Sequence, residues 1–222
     1  MSIDRRQWLA VTAATILLPA RAQGHGDHKA HAAPAERPPS SIKLTLPDAT
    51  LVDQDGRKLR LRSDAMAGRI VVVDFIYTTC TTICPIFTAT MASLQEKLGD
   101  LAGREIQLIT VTVDPARDTP RRLKEYAGKH HAKLEGWSFL TGSKQDVDSV
   151  NKAFGTYTPN IDDHPPMVLV GDTANGQWTR FYGFPSAGEL ETRARQLLAA
   201  RKVTETTRRT PHLSSGHHPA SS

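Results

Sequence analysis

An α/β fold with a mixed sheet is what this sequence predicts, on three observations. The short apolar runs Ile70 to Tyr77, Glu105 to Val113 and Trp137 to Thr141 are each followed by a stretch with apolar residues at helical spacing. Asn175-Gly176 lies between two further strand-like segments, which is the turn chemistry of an antiparallel hairpin. Asp55-Gly56 does the same inside residues 50–61, ahead of the first long run. Strand–helix alternation calls for parallel neighbours and the hairpins for antiparallel ones, so both occur in one sheet.

Taken in order, Ile42, Leu44 and Leu46 alternate with polar residues and predict a first strand. The Thr50–Leu61 hairpin follows. Ile70 to Tyr77 is continuous and valine-rich, as expected of a strand covered on both faces. Past Pro85 the spacing of Ile86, Phe87, Met91, Leu94 and Leu98, closed by Gly99, predicts a helix, with Thr81 or Thr82 available as its cap. After the strand ending at Val113, Asp118 or Thr119 can cap a helix that has Pro120 at its first position and runs to about His131. His130 and His131 then close that helix as solvated residues.

Trp137 to Thr141 is a third buried strand, and a helix from Ser143 to about Phe154 buries Val147, Val150 and Phe154. Gly155 to Pro166 reads as a loop carrying His164. Met167 to Gly171 and Gln177 to Phe184 form the C-terminal hairpin, and an amphipathic helix spans about Ser186 to Lys202. This order matches a thioredoxin-like architecture, a mixed sheet flanked by helices, with an added N-terminal β-hairpin. It forms one domain over residues 41–203, without internal repeats.

Residues 1–22 read as a targeting segment. Asp4-Arg5-Arg6-Gln7-Trp8-Leu9 looks like a twin-arginine signal, the apolar stretch from Trp8 to Ala20 is shorter than a membrane span, and Ala20-Arg21-Ala22 offers a cleavage site. The expectation is export to a bacterial periplasm; an uncleaved anchor in the inner membrane is the alternative. The net charge is +5, and this segment carries three arginines against one aspartate, so the rest is nearer neutral. That balance gives no support for a nucleic-acid partner. Residues 23–40 are a linker rich in His, Pro and Ala, with His25, His28 and His31 either a solvated leader or a weak site for copper, nickel or zinc. Residues 204–222 are expected to be a disordered tail, with His212, His217 and His218 as a fainter echo of the leader.

The chemistry concentrates on Cys80 and Cys84, the chain's only cysteines, at the turn from the central strand into a helix. Open α/β sheets carry their sites at that end. Helix N–H groups and the positive end of the helix dipole favour a thiolate there. Four residues are about one helical turn, which would put both sulfurs in the first turn, within reach of a disulfide or of a shared soft cation such as Cu(I).

Several stretches, in order, resemble the Sco (SenC) family of copper chaperones: Tyr77-Thr78, Cys80-Thr81-Thr82-Ile83-Cys84-Pro85, Val111 to Pro120, Leu123 to Tyr126, Leu140-Thr141-Gly142 and Asp163-His164. The likeness extends from Ile42 to Val203. It implies a thioredoxin-like domain that binds copper, Cu(I) or Cu(II), through Cys80, Cys84 and His164, with Asp114 a nearby auxiliary acid. It further implies delivery of copper to the dinuclear site of cytochrome c oxidase, or reduction of that site's cysteines. The partners would be the oxidase's copper-binding subunit, a copper donor and a periplasmic thiol reductant.

Two departures stand out. Thr81-Thr82 replaces the family's usual Pro-Asp, and His164 is followed by Pro165-Pro166-Met167 instead of Ser or Thr. One bond into Pro165 or Pro166 is expected to be cis, and Met167 is read as a core residue that could act as a soft ligand. The rival reading is a thiol–disulfide oxidoreductase using Cys80 and Cys84 as its redox pair without stable metal. A peroxiredoxin-type peroxidase is disfavoured, since those enzymes place threonine three residues before the reactive cysteine, where this chain has Tyr77.

Overall fold

A computed structural model of the chain describes residues 37–209. The targeting segment, the linker histidines and the tail histidines His212, His217 and His218 lie outside the described residues. The elements are β1 (Ser40–Ile42), β2 (Thr50–Asp53), β3 (Lys58–Arg60), β4 (Ile70–Ile76), α1 (Ile83–Leu98), β5 (Ile106–Thr112), α2 (Pro120–Lys129), β6 (Trp137–Gly142), α3 (Lys144–Phe154), β7 (Met167–Asp172), β8 (Gln177–Tyr182) and α4 (Ala187–Arg209).

The strands form one sheet in the order β1-β8-β7-β4-β5-β6-β2-β3. β4, β5 and β6 run parallel to one another. β7, β8 and β1 extend one side antiparallel, and the β2–β3 hairpin closes the other through β6. The expected mixed sheet and added N-terminal hairpin are both present, the hairpin as one edge of the sheet.

β4 shows why this sequence takes a central place. Successive side chains of a strand point to opposite faces. Ile70, Val72 and Ile76 enter the core under α1, α2 and α4, while Val71, Val73 and Phe75 enter a second core under α3. With no polar face to offer water, the strand is stable only when covered on both sides. The polar exception is Asp74, fully buried on the α1 side. β4 delivers the chain to the cysteines at its carboxyl end.

Local capping behaves as expected in α2 and α3. Thr119 accepts the Arg122 N–H with Pro120 at the first helical position, and Ser143 accepts the Asp146 N–H. Gly155 ends α3 at φ 79°, the left-handed conformation that favours glycine.

Two expectations are corrected at the ends. The first strand stops at Ile42; Leu44 and Leu46 instead dress the α3-side core, so their alternation reflects burial without ladder pairing. α4 runs past Lys202 to Arg209, so residues 204–209 are helical where a disordered tail was expected, and Thr204 donates its hydroxyl to the Ala200 carbonyl within the helix.

Candidate metal centre

From the end of β4 the chain makes a turn closed by Cys80 N–H donating to the Tyr77 carbonyl (3.1 Å). α1 begins only at Ile83, so Cys84 lies in its first turn and Cys80 lies before it. The expectation that both cysteines share the first turn is corrected here. Its physical reason is the cap. Thr82 occupies the N-cap position at φ −111° and ψ −81°, with no side-chain cap bond, and Cys84 N–H donates instead to Cys80 Sγ (3.3 Å). The sulfur of Cys80 thus does what a Ser or Asp oxygen does at an ordinary N-cap.

The two thiols are electrostatically unequal. Burial raises the Cys80 pKa, but donors from Cys84 and Thr82 outweigh it and the net shift is downward. Cys84 is shifted upward by burial first, then by the neighbouring Cys80 sulfur. Both are free cysteines. The pair therefore contains one thiol disposed to ionise and one disposed to keep its proton.

The turn is anchored from outside itself. Thr78 donates to the buried Asp118 through its N–H (3.2 Å) and its hydroxyl (2.5 Å), and Thr112, at the end of β5, donates to the other Asp118 oxygen (2.5 Å). Burial pushes the Asp118 carboxyl pKa up while these donors pull it down, and burial prevails. Behind Cys84, Thr88 donates to the Cys84 carbonyl (3.0 Å) and meets the Tyr126 hydroxyl (2.8 Å). Deeper on the same face, Thr110 donates to Asp74 Oδ1 (2.5 Å) and accepts Trp137 Nε1–H (2.8 Å). Asp74 Oδ2 is buried without a partner, and desolvation raises this carboxyl to about 7.

His164 arrives from the far loop. Asn160 caps a single 3-10 turn, Ile161–Asp163, and His164 follows it, buried, with Nδ1 2.7 Å from the Ile161 carbonyl. A carbonyl can only accept, so Nδ1 carries the proton and the lone pair lies on Nε2. Burial shifts the imidazole pKa downward, against the pull of the Ile161 carbonyl and Asp162, and favours the neutral form a ligand needs.

Between this histidine and the cysteines stands Tyr77. Its ring meets that of His164 edge-on at 5.8 Å, its hydroxyl donates to Asp162 Oδ1 (2.7 Å), and its phenol also interacts with the Cys80 thiol. Among the described residues, no group of three or more His, Cys, Asp or Glu side chains is placed to hold a metal ion. The structure thus joins Cys80 to Cys84 directly and leaves His164 linked to them through Tyr77.

The cis-proline expectation is corrected, since the described residues contain no cis peptide bond. His164 has φ −63° and ψ 134°, the extended backbone that a following proline imposes, and this brings the trans chain straight to β7. Asp114 turns elsewhere. Its Oδ2 accepts from Arg117 (3.0 Å), and it borders a cavity shared with Tyr157 and Ile161, not the cleft beside Cys80. Met167 is buried in the α3-side core.

Two residues that reasoning from sequence left without a site role, Tyr77 and Asp118, make the contacts that organise the site. Asp118 was visible only as a candidate helix cap. Its actual partner Thr78 lies 40 positions away, a distance no local pattern spans.

The donor set suits a soft metal: two sulfurs at a helix N-terminus and a neutral imidazole, all buried. Comparison with known proteins agrees in family. The SCO1/SenC family model matches residues 40–197. The SCO1 protein homolog of Bacillus subtilis is 40% identical over 96 residues, covering 43% of this chain and 48% of that protein. A provisionally named copper-binding protein of Stutzerimonas stutzeri is 34% identical over 110 residues, covering 50% and 52%. The chain thus spans about half the length of these two relatives. A solved structure of BsSco, in which a disulfide switch is identified and which is a member of the Sco family of cytochrome c oxidase assembly proteins, superposes with a TM-score of 0.61 at 25% identity, covering 71% of this chain and 95% of that one. With the thioredoxin-like fold and the paired cysteines in place, the chain belongs to the SCO1/SenC family.

Proposed function

We propose that the protein is an exported copper-binding chaperone that delivers copper to the dinuclear copper site of cytochrome c oxidase, or prepares the cysteines of that site, in the periplasm. The observation that carries this reading is the Cys84 N–H bond to Cys80 Sγ, which brings both sulfurs to one helix N-terminus at the end of the central strand. Copper is cargo here. Cys80, Cys84 and His164 would hold it, the thiolates favouring Cu(I), and Cu(II) would take an added oxygen ligand. The copper-binding relative and the oxidase-assembly role of BsSco support the cargo and the acceptor, with a copper donor and a thiol reductant as further partners. The leader supports export, and no helix among the described residues is long and apolar enough to cross a membrane.

The test is Cu(I) titration of the reduced full chain against a chromophoric chelator. Tight 1:1 binding is expected, lost in Cys80→Ser and in Cys84→Ser and weakened about tenfold or more, about 1.4 kcal/mol, in His164→Ala. A tight site that survives loss of either cysteine would overturn the reading.

The inequality of the two thiols favours one second reading, a thiol–disulfide oxidoreductase with Cys80 as nucleophile and Cys84 as resolving thiol. His164→Ala separates the two. Weakened copper binding with unchanged thiol exchange belongs to the chaperone, and the reverse pattern to the oxidoreductase.

A further inference from the structure

Cys80 opens onto a cleft that neither Cys84 nor His164 borders. The cleft, of about 440 Å³, runs between the cysteine turn and the side of α2 that carries Arg122, Glu125, Lys129 and His130. Cys84 is fully buried, so Cys80 is the sulfur a visiting molecule meets first.

The wall of the cleft is positive. Glu125 is already paired with Arg121 (3.0 Å), outside the lining. Arg122 donates to the neutral Arg117 carbonyl (3.3 Å). Neither Arg122 nor Lys129 forms an ion pair among the described residues. His130 lies over the Tyr126 ring at 4.4 Å and adds no lasting charge, because burial and the adjacent Lys129 keep its imidazole from protonating readily. Arg122 and Lys129 therefore outnumber Glu125 at the mouth, which leaves an excess of positive charge in front of one sulfur.

Their spacing selects the occupant. Arg122 and Lys129 stand seven positions apart on one helix, about 10 Å along its axis. An extended chain spans that distance in about three residues, at about 3.3 Å each. A thiol with one charged group cannot reach both cations and the sulfur together, whereas an extended peptide can.

We propose that this cleft docks an acidic, extended, cysteine-bearing segment of a partner protein, with its carboxylates against Arg122 and Lys129 and its sulfur against Cys80. The inference rests on the function proposed above, in which a partner's sulfurs must meet Cys80 whether metal or electrons are transferred. Where electrons move, the Cys80 thiolate attacks one sulfur of the partner's disulfide. The partner's S–S bond breaks, a Cys80–sulfur bond forms, and the second partner sulfur leaves as a thiolate. Cys84 then attacks Cys80 Sγ, loses its proton to the solvent and closes the Cys80–Cys84 disulfide, while the two partner thiolates take up protons. The partner gains the two electrons that the cysteine pair gives up.

The test uses the full-length Cys84→Ser protein, in which a mixed disulfide at Cys80 persists. Short peptides, each with one cysteine activated as its thionitrobenzoate disulfide, differ only in flanking Glu, Gln or Lys, and thionitrobenzoate release reports the exchange rate. At low salt the Glu peptide should react about tenfold faster than the Lys peptide, and the gap should shrink at 0.5 M salt, on the order of a Debye length of a few ångströms. Adding Arg122→Glu and Lys129→Glu should reverse the order. Arg122→Gln with Lys129→Gln should abolish it, with alkylation of Cys80 by neutral iodoacetamide unchanged. Equal rates for the three peptides, or an order indifferent to both pairs of changes, would overturn the proposal. Copper titration of the wild-type chain is read separately. Binding without peptide preference removes the docking surface alone, and preference without copper binding removes the chaperone reading alone.

Discussion

The cysteine turn and the histidine loop supply the same candidate site but are built in opposite ways. The turn at 77–84 is held from elsewhere: Asp118 grips Thr78, Thr112 reaches Asp118 from β5, and Thr88 ties Cys84 to Tyr126 of α2. The loop before β7 is held mostly by itself. Thr158 donates to the Asn160 carbonyl, Asn160 to Asp163, and His164 to Ile161, all within a few residues. Its side-chain ties to the cysteine side are the Tyr77–Asp162 bond, the edge-on contact of Tyr77 with His164, and the pull of the Phe75 backbone on the imidazole. A group set by many distant contacts keeps one position, while a group set mainly by its own loop can be moved at lower cost. The sulfurs are thus the fixed half of the site and the imidazole its adjustable half.

The largest expected effect comes from breaking the anchor of the fixed half. Asp118→Ala strands the Thr78 N–H and two hydroxyls in a buried place and should cost about 2–4 kcal/mol of unfolding free energy by chemical denaturation. Amide exchange should accelerate at Thr78 and Cys80. A loss under about 1 kcal/mol would mean that the cysteine turn is as self-sufficient as the loop.

Next in size is a pH effect confined to the same half. Asp74, beneath α1, is fully buried with one oxygen unpartnered and is raised from 3.8 to about 7, whereas Asp162 and Asp163 of the loop are exposed. Because its pKa is higher in the folded state, the native chain binds more protons than the unfolded chain between pH 3.8 and about 7. This group's contribution therefore falls as pH rises through that window, by about 1.4 kcal/mol per unit at most. Asp74→Asn removes the slope, so the variant should gain on wild type as pH increases from 4 to 7, a difference in which the other titrating groups cancel. A constant difference across that range would show that Asp74 ionises in the folded state as freely as in the unfolded one.

What could be read in the sequence follows the same division between local and distant control. The caps of α2 and α3 were legible in Thr119-Pro120 and Ser143, because a cap is settled within four residues. β4 was legible because continuous apolarity has few other uses at that length. At the start of α1 the N-cap position was legible in Thr82, but the bond that fills it was not. Threonines at 81 and 82 looked like caps, but the acceptor is a sulfur, and the choice depends on how the turn is pulled toward Asp118. The roles of Tyr77 and Asp118 were out of reach for the same reason, since each partner comes from a different part of the sheet. The proline pair misled because proline narrows the gap between the cis and trans forms of the bond before it without choosing between them.

The smallest effect bears most directly on the comparison. Tyr77→Phe keeps the ring against His164 and removes the bond to the exposed Asp162, which should cost about 0.5–1 kcal/mol. Amide exchange should rise at 162–164 more than at Cys84, because the phenol also touches the Cys80 thiol but the Cys84 N–H stays bonded to Cys80 Sγ. Copper uptake sharpens the point. Among the described residues the imidazole is not grouped with the sulfurs, so it must move toward them before three ligands converge, and the Tyr77–Asp162 bond restrains that movement. Releasing a tether of about 0.7 kcal/mol should favour the converged arrangement about threefold, because 1.4 kcal/mol is a factor of ten. Stopped-flow Cu(I) uptake by Tyr77→Phe should therefore be faster than wild type by about that factor. Slower uptake, or weaker binding at equilibrium, would mean that Tyr77 holds His164 in its ligand position and that the imidazole belongs with the sulfurs to the fixed half.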